Sequence, residues 1–155
     1  MYLLTILLLM LVFPIGSILA DLFLFKSSAG VMPLIGKWFV FWAMGVRLLT
    51  AGLRQSTRPR FTAETILGIK GVEPFILVQE LGFANLSMGA LGVSTLLVRN
   101  WVPPAALVGC LFSGLAGIRH LFRPGRNALE NIAMVSDLAL SGLMLTYILW
   151  LAMNH

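Results

Sequence analysis

Acidic and amide side chains stand inside apolar stretches of this chain, where they can exchange protons or bind polar ligands. The segment QELGFANLSMGALG, residues 79–92, contains Glu80 and Asn85, and a later apolar segment contains Asp137. A charged side chain such as Asp at the centre of a bilayer costs about 2.5–3.5 kcal/mol on insertion scales, so it must face protein or water and be paired or protonated. The sequence therefore predicts a polar site enclosed by apolar segments.

Basic residues in the other apolar segments are candidate partners for these carboxylates. We expect Arg47 to pair with Glu80. We expect Arg119 and His120, which are adjacent in the chain, to face the acidic residues of the last apolar segment. The predicted ligand-binding residues are Arg47, Glu80, Asn85, Arg119, His120, Glu130, Asn131 and Asp137.

Two interpretations of this cluster are open. In one, the charged groups form structural ion pairs that fix the register of the helices. In the other, they line a cavity that binds an anion, a lipid headgroup, a quinone or protons, with His120 able to change its charge near neutral pH.

The sequence lacks the common motifs of catalysis and metal binding. It contains no nucleophile elbow, no phosphate-binding glycine loop, no HExxH and no CxxC. Cys110 is the single cysteine, which excludes an internal disulfide and a cysteine-based metal cluster. Metal binding by His120 with Glu80 or Glu130 has little support, because one internal histidine and two carboxylates are a sparse ligand set for zinc. We therefore predict no metal site, name no catalytic residue or cofactor, and leave open whether the protein is an enzyme.

The composition indicates whether this polar site belongs to a soluble protein or to a membrane protein. Of the 155 residues, 59% are hydrophobic and 11% are charged, and the mean hydropathy is +0.93. A soluble domain has roughly 45–50% apolar and about 25% charged residues, so the composition predicts an integral membrane protein. The net charge is +5, but the basic residues lie in short loops where lipid phosphates are the nearest partners. We expect membrane lipids, and no nucleic acid, as partners.

Five segments approach or exceed the roughly 20 residues that a membrane-spanning helix needs. They leave no room for a soluble domain, so we predict one transmembrane domain over residues 1–155, an all-α polytopic bundle of five helices. A loop over 54–73 contains the sequence FTAETILGI, which predicts a short amphipathic surface helix. The five predicted spans are about 2–25, 34–53, 74–97, 104–122 and 128–152.

The distribution of Lys and Arg predicts the orientation of these helices. The loops on one side of the membrane carry seven basic residues, and those on the other carry three. Because basic loops stay in the cytoplasm, we expect the loop 54–73 and the amino terminus inside and the carboxyl terminus outside. The seven are Arg54, Arg58, Arg60, Lys70, Arg119, Arg123 and Arg126, and the three are Lys26, Lys37 and Arg99. The predicted site then lies in the cytoplasmic half of the bundle.

Small residues occupy both sides of the third span. At 100° per residue, Gly82, Asn85 and Gly89 share one face, while Glu80 and Ser87 share nearly the opposite one. Small residues allow close packing of membrane helices. We therefore expect the third span at the centre of the bundle, with Glu80 turned inward.

Several blocks of the sequence resemble a family of small, uncharacterised bacterial inner-membrane proteins with five predicted helices. The blocks are KWFVFWAMGVRLLTAGLRQ (37–55), RFTAETILGI (60–69), QELGFANLSMGALG (79–92), AGIRHL (116–121) and ENIAMVSDL (130–138). The resemblance implies a multi-pass protein of the bacterial inner membrane and supplies no activity. A distant similarity to DoxX-like four-helix membrane proteins points towards quinone-linked oxidoreductases, which some of those proteins accompany. The motif residues carried over are Arg47, Glu80, Asn85, His120, Glu130, Asn131 and Asp137.

Three functions are compatible with these observations. The first is a membrane protein whose polar intramembrane pocket binds a small ligand or couples protons. The second is an accessory or assembly subunit that docks on a larger membrane complex, or a subunit of a homo-oligomer. The third is a membrane enzyme that acts on a lipid or a quinone. The first predicts a water-accessible cavity that is lined by the charged residues of the cluster.

Overall fold

The computed structural model describes residues 2–66, 68–69 and 73–154. Lys70, one of the seven basic residues counted above, lies outside these residues. Within the described ranges all regular structure is helical, and five helices are long and apolar enough to cross a membrane. The predicted all-α architecture is therefore confirmed, and five helices have the length and composition that a membrane span requires.

The five long helices follow one another with short connections, apart from the segment between the second and the third. They are α1, Tyr2–Leu24; α2, Val31–Thr57; α3, Pro74–Ser94; α4, Arg99–Leu121; and α5, Ala128–Asn154. The helix α2 continues past its predicted end at residue 53, because its polar last turns pack inside the protein, where Gln55 is 9% exposed. A short helix over Phe61–Ile66 follows it and is called the loop helix below.

The helix ends define two faces of the bundle. The long-loop face contains the start of α1, α3 and α5 and the end of α2 and α4; the opposite face contains the other five ends. The loop helix lies on the long-loop face, where Thr62 and Ala63 are buried. Asn127, at the start of α5, donates from Nδ2 to the carbonyl oxygens of Thr65 and Ile66 at 3.2 and 2.9 Å. These two hydrogen bonds hold the loop helix against the start of α5.

The centre of the bundle is α2, which contacts all four other long helices. Its span is 44% buried, compared with 28% for α3. The prediction of a central α3 is therefore wrong. The small polar residues on the outer side of α3 need no neighbouring helix, because Ser87 and Ser94 donate to carbonyl oxygens of their own helix, at 2.9 and 2.8 Å.

Glycines bring the backbones of α2 and α3 into close contact. A Cβ atom at Gly92 would lie 2.6 Å from the Cα of Gly45, and one at Gly45 would lie 2.8 Å from the backbone nitrogen of Val93. Gly52 and Gly89 belong to the same interface and have similarly close backbone neighbours. Small residues at such a crossing are typical of tightly packed membrane helices. This contact fixes α3 against α2 and with it the position of Asn85.

Candidate functional site

Arg47 and Asp137 form an ion pair inside the bundle. Nη2 of Arg47 on α2 donates to Oδ1 of Asp137 on α5, and the two side chains are 12% and 13% exposed. Nη1 of Arg47 also lies 3.3 Å from the sulfur of Met10 on α1. The backbone of α2 is π-helical over Val40–Val46, directly before Arg47, as it also is in parts of α1 and in the loop helix. The pair connects three helices at one point.

Glu80 does not take part in this pair, which corrects the predicted contact between Glu80 and Arg47. It is exposed on the outer side of α3, near Leu77 and Phe83, and it has no hydrogen bond or ion pair with any described residue. The opposite side of α3 carries the glycines that pack on α2. Because α3 lies at the edge of the bundle, its second polar face points away from the protein.

Glu130 is the centre of a second charged cluster, at the turn between α4 and α5. Its side chain is 2% exposed and receives hydrogen bonds at Oε1 from His120 Nδ1 at 2.9 Å and from Arg123 Nη1 at 3.2 Å. Its backbone nitrogen donates to Asn127 Oδ1 at 2.9 Å. A buried carboxylate with this many donors is satisfied. In the described residues Glu130 therefore joins the end of α4 to the start of α5.

The side chain of Arg126 contacts backbone carbonyl groups of the same turn. Its Nη1 lies 2.7–2.8 Å from three carbonyl oxygens, those of His120, Leu121 and Arg123. Its Nε donates to Oδ1 of Asn131, which is exposed. The predicted site residue Asn131 thus supports the turn. Arg119, also predicted, is exposed on α4 and does not line the cavity described next.

A cavity of about 210 Å³ lies between the helices towards the long-loop face. Four of the predicted site residues line it: Arg47, Asn85, His120 and Asp137. Its wall also includes backbone or side-chain atoms of α1 and the loop helix, so every helical element contributes to it. The volume is many times the space that one water molecule requires. The cavity can therefore hold several water molecules or a small polar ligand.

Asn85, one of the residues that line this cavity, has an unsatisfied polar atom. Its side chain is 4% exposed, and its Nδ2 donates to Oε1 of Gln55 at 2.6 Å. Its Oδ1 is buried and has no hydrogen-bond partner among the described residues. Whichever way the amide is turned, one of its two polar atoms remains unpaired. Leaving such a group buried costs about 1–3 kcal/mol, so a hydrogen-bonding ligand in the cavity would recover this energy.

The cavity also has a cation that sequence reasoning did not include in the site. Arg54 lines the cavity and is exposed, and its guanidinium carbon lies 5.2 Å from the centroid of the Phe61 ring. It has no acidic partner among the described residues. Its position seven residues after Arg47 places both on one side of α2. In the interpretation of the sequence, Arg54 is counted with the basic residues of the loop 54–73, and Gln55 is not named.

The described residues contain no group of three or more His, Cys, Asp or Glu side chains that could hold a metal ion. The sulfur of Cys110 is buried and lies 3.5 Å from the carbonyl oxygen of Ser141, so this cysteine is a packing residue between α4 and α5. The polar chemistry of the cavity therefore comes from guanidinium, imidazole, carboxylate, amide and hydroxyl groups.

Residues 2–155 match a family whose description is a family of unknown function, DUF6790. No curated protein and no solved structure matches the chain. The match includes all five helices and every residue of the cavity.

Proposed function

The chain belongs to the DUF6790 family of unknown function, and from its cavity we propose that it binds a small polar molecule within the membrane. The observation that carries the proposal is a cavity lined by Asn85, whose buried Oδ1 has no hydrogen-bond partner among the described residues, and by Arg54, which has no acidic partner among them. A ligand that satisfies both has a hydrogen-bond donor and an acidic group.

The charges at the cavity support an anionic ligand. Arg47 is neutralised by Asp137, whereas the charge of Arg54 is not neutralised by any described residue. Guanidinium groups bind carboxylates through two parallel hydrogen bonds, which gives both affinity and orientation. The volume of about 210 Å³ limits the ligand to a compact molecule, and part of the wall, which includes Phe112 and Leu81, is apolar.

Binding of L-lactate and propionate tests this proposal, because the two acids differ in one hydroxyl group. In calorimetric titrations of the purified protein in detergent, we expect saturable binding of both acids and tighter binding of lactate, whose hydroxyl can donate to Asn85. Arg54→Gln should weaken both acids about tenfold, the loss of one charge-assisted hydrogen bond. Asn85→Leu should remove the difference between them.

Arg58→Gln is the matched control, since Arg58 is an exposed arginine of the same segment that does not line the cavity. It should bind both acids as the wild type does. The absence of saturable binding, or equal losses in Arg54→Gln and Arg58→Gln, would contradict the proposal.

A second candidate function is that of an accessory subunit in a larger membrane complex, and the position of Glu80 favours it. An exposed carboxylate about 9 Å along α3 from its first residue gains from a cationic partner on another subunit. Native mass spectrometry of protein extracted from membranes should then show a particle heavier than the monomer, and Glu80→Lys should convert it to the monomer. A wild-type monomer would exclude this candidate.

We further propose that the long-loop face is cytoplasmic and that the protein resides in the bacterial inner membrane. The excess of Lys and Arg on this face supports the orientation. In a Cys110→Ala background, a membrane-impermeant maleimide should label Ser28→Cys in intact cells and Arg58→Cys only after lysis. The opposite labelling pattern would reverse the orientation.

A further inference from the structure

A second cavity, of about 660 Å³, opens at the opposite face of the bundle, away from the proposed ligand site. It lies between the connection from α1 to α2, the turn from α3 to α4, and α5. Three charged residues line it, Asp21, Lys37 and Arg99, together with the aromatic residues Trp38 and Tyr147. No part of the function proposed above uses these residues.

Lys37 is held in a fixed position at this cavity. Its Nζ donates to Oδ2 of Asp21 at 2.8 Å, and the indole nitrogen of Trp38 donates to the same oxygen at 2.8 Å. The ammonium also lies 4.2 Å from the centroid of the Trp38 ring, within the range of a cation–π contact. An ammonium group has three donors, and the contact with Asp21 uses one of them. Lys37 can therefore donate to a further acceptor without a change of position.

Arg99 supplies a second cation to the same cavity. It is exposed and forms no ion pair within 4.0 Å with any described residue, and its charge acts on Asp21 at longer range. Asp21 is the acidic residue among those that line the cavity, so two cations face one carboxylate. The excess of one positive charge favours an anionic ligand. The planar guanidinium and the ammonium together match the several oxygen atoms of a phosphate group.

The position of the cavity along the helices and the residues that line it indicate what is attached to the phosphate group. The cavity lies where four helices begin or end, which is the headgroup level of a membrane that these helices span. Trp38 and Tyr147 are the residue types that occupy the membrane interface. Phe25, at the rim, is 74% exposed, and Leu96 is 39% exposed. An apolar chain attached to the phosphate could extend over this surface.

We propose that this cavity binds a phosphate group through Arg99 and Lys37, either as the headgroup of an anionic phospholipid or as free phosphate. Its contacts are the guanidinium of Arg99, the remaining donors of Lys37 and the aromatic wall. Zwitterionic headgroups bind more weakly, because their cationic part meets a cavity that already has a positive excess.

Native mass spectrometry of the full-length protein in detergent tests the site with three probes: dioctanoyl phosphatidylglycerol, dioctanoyl phosphatidylcholine and inorganic phosphate. We expect phosphatidylglycerol to bind more tightly than phosphatidylcholine. Arg99→Gln should lower the affinity for phosphatidylglycerol about tenfold, and Arg99→Lys should retain part of it. Displacement of the lipid by millimolar phosphate would support the free anion as the ligand, while persistence of the lipid would support the headgroup.

Lys26→Gln is the matched control, because it removes one positive charge from the same face at a residue that does not line the cavity. It should leave lipid affinity unchanged. Arg99 is exposed, so its replacement should not affect folding, and equal melting temperatures of lipid-free wild type and variant would verify this. Equal affinities of wild type, Arg99→Gln and Lys26→Gln for phosphatidylglycerol would overturn the proposal.

Discussion

Asp137→Asn should lower the free energy of unfolding by about 3–5 kcal/mol, the usual cost of removing one partner from a buried ion pair. The replacement leaves the guanidinium of Arg47 enclosed by α1, α2 and α5 without a counter-charge. Equilibrium unfolding of the purified protein in mixed detergent micelles measures the change. Arg47→Met should cause a loss of similar size, because it leaves the carboxylate unpaired instead.

The double variant Arg47→Met/Asp137→Leu separates the loss of a charge partner from the loss of packing. It should recover most of the stability, since apolar residues can replace a buried ion pair at little or no net cost. Glu80→Gln is the control for Asp137→Asn, because both remove one carboxylate from a long apolar helix, and Glu80 has no partner to lose in the described part of the chain. A loss in Glu80→Gln as large as that in Asp137→Asn would contradict the assigned pairing.

Gly92→Ala should lower the free energy of unfolding by about 1–3 kcal/mol, the usual cost of inserting a methyl group into a packed interface. The added Cβ would lie 2.6 Å from the Cα and 2.8 Å from the nitrogen of Gly45. These are backbone atoms, which cannot rotate away as a side chain could, so α3 must move from α2. The same unfolding measurement tests it.

Gly142→Ala provides the control within another span. A Cβ at Gly142 would meet no atom within 4 Å, so the alanine should be neutral or slightly stabilising through its higher helix propensity. Equal effects at the two positions would show that α2 and α3 are not in backbone contact.

Gly92→Ala should also weaken lactate binding, because the displacement of α3 moves Asn85 from Gln55 and from the cavity.

Four of the eight predicted site residues line the cavity. The other four lie elsewhere, for reasons that differ between residues. Arg47, Asn85, His120 and Asp137 were identified because a polar group in an apolar run is expensive unless it faces protein or water. Glu130 and Asn131 met the same criterion, but they stabilise the turn between α4 and α5. Arg119 and Glu80 are exposed at the outer surface.

The amino-acid sequence by itself predicted a membrane protein and determined the number of long apolar helices. Transfer of a segment into lipid depends on that segment's own composition and length, so five apolar runs predict five spans without knowledge of their neighbours. The cavity residues that lie in these apolar runs could be predicted for the same reason, because the cost of a polar group depends on the run in which it lies.

The tertiary structure alone decided which faces meet. Both sides of α3 carry small residues, and a serine hydroxyl can bond to its own helix, so the helical projection did not distinguish the side that packs on α2 from the side that carries Glu80. The choice of Asp137 as the partner of Arg47 depends on the placement of α2 at the centre of the bundle, between α1, α3, α4 and α5. Such long-range contacts depend on how all the helices pack together, which no single segment encodes.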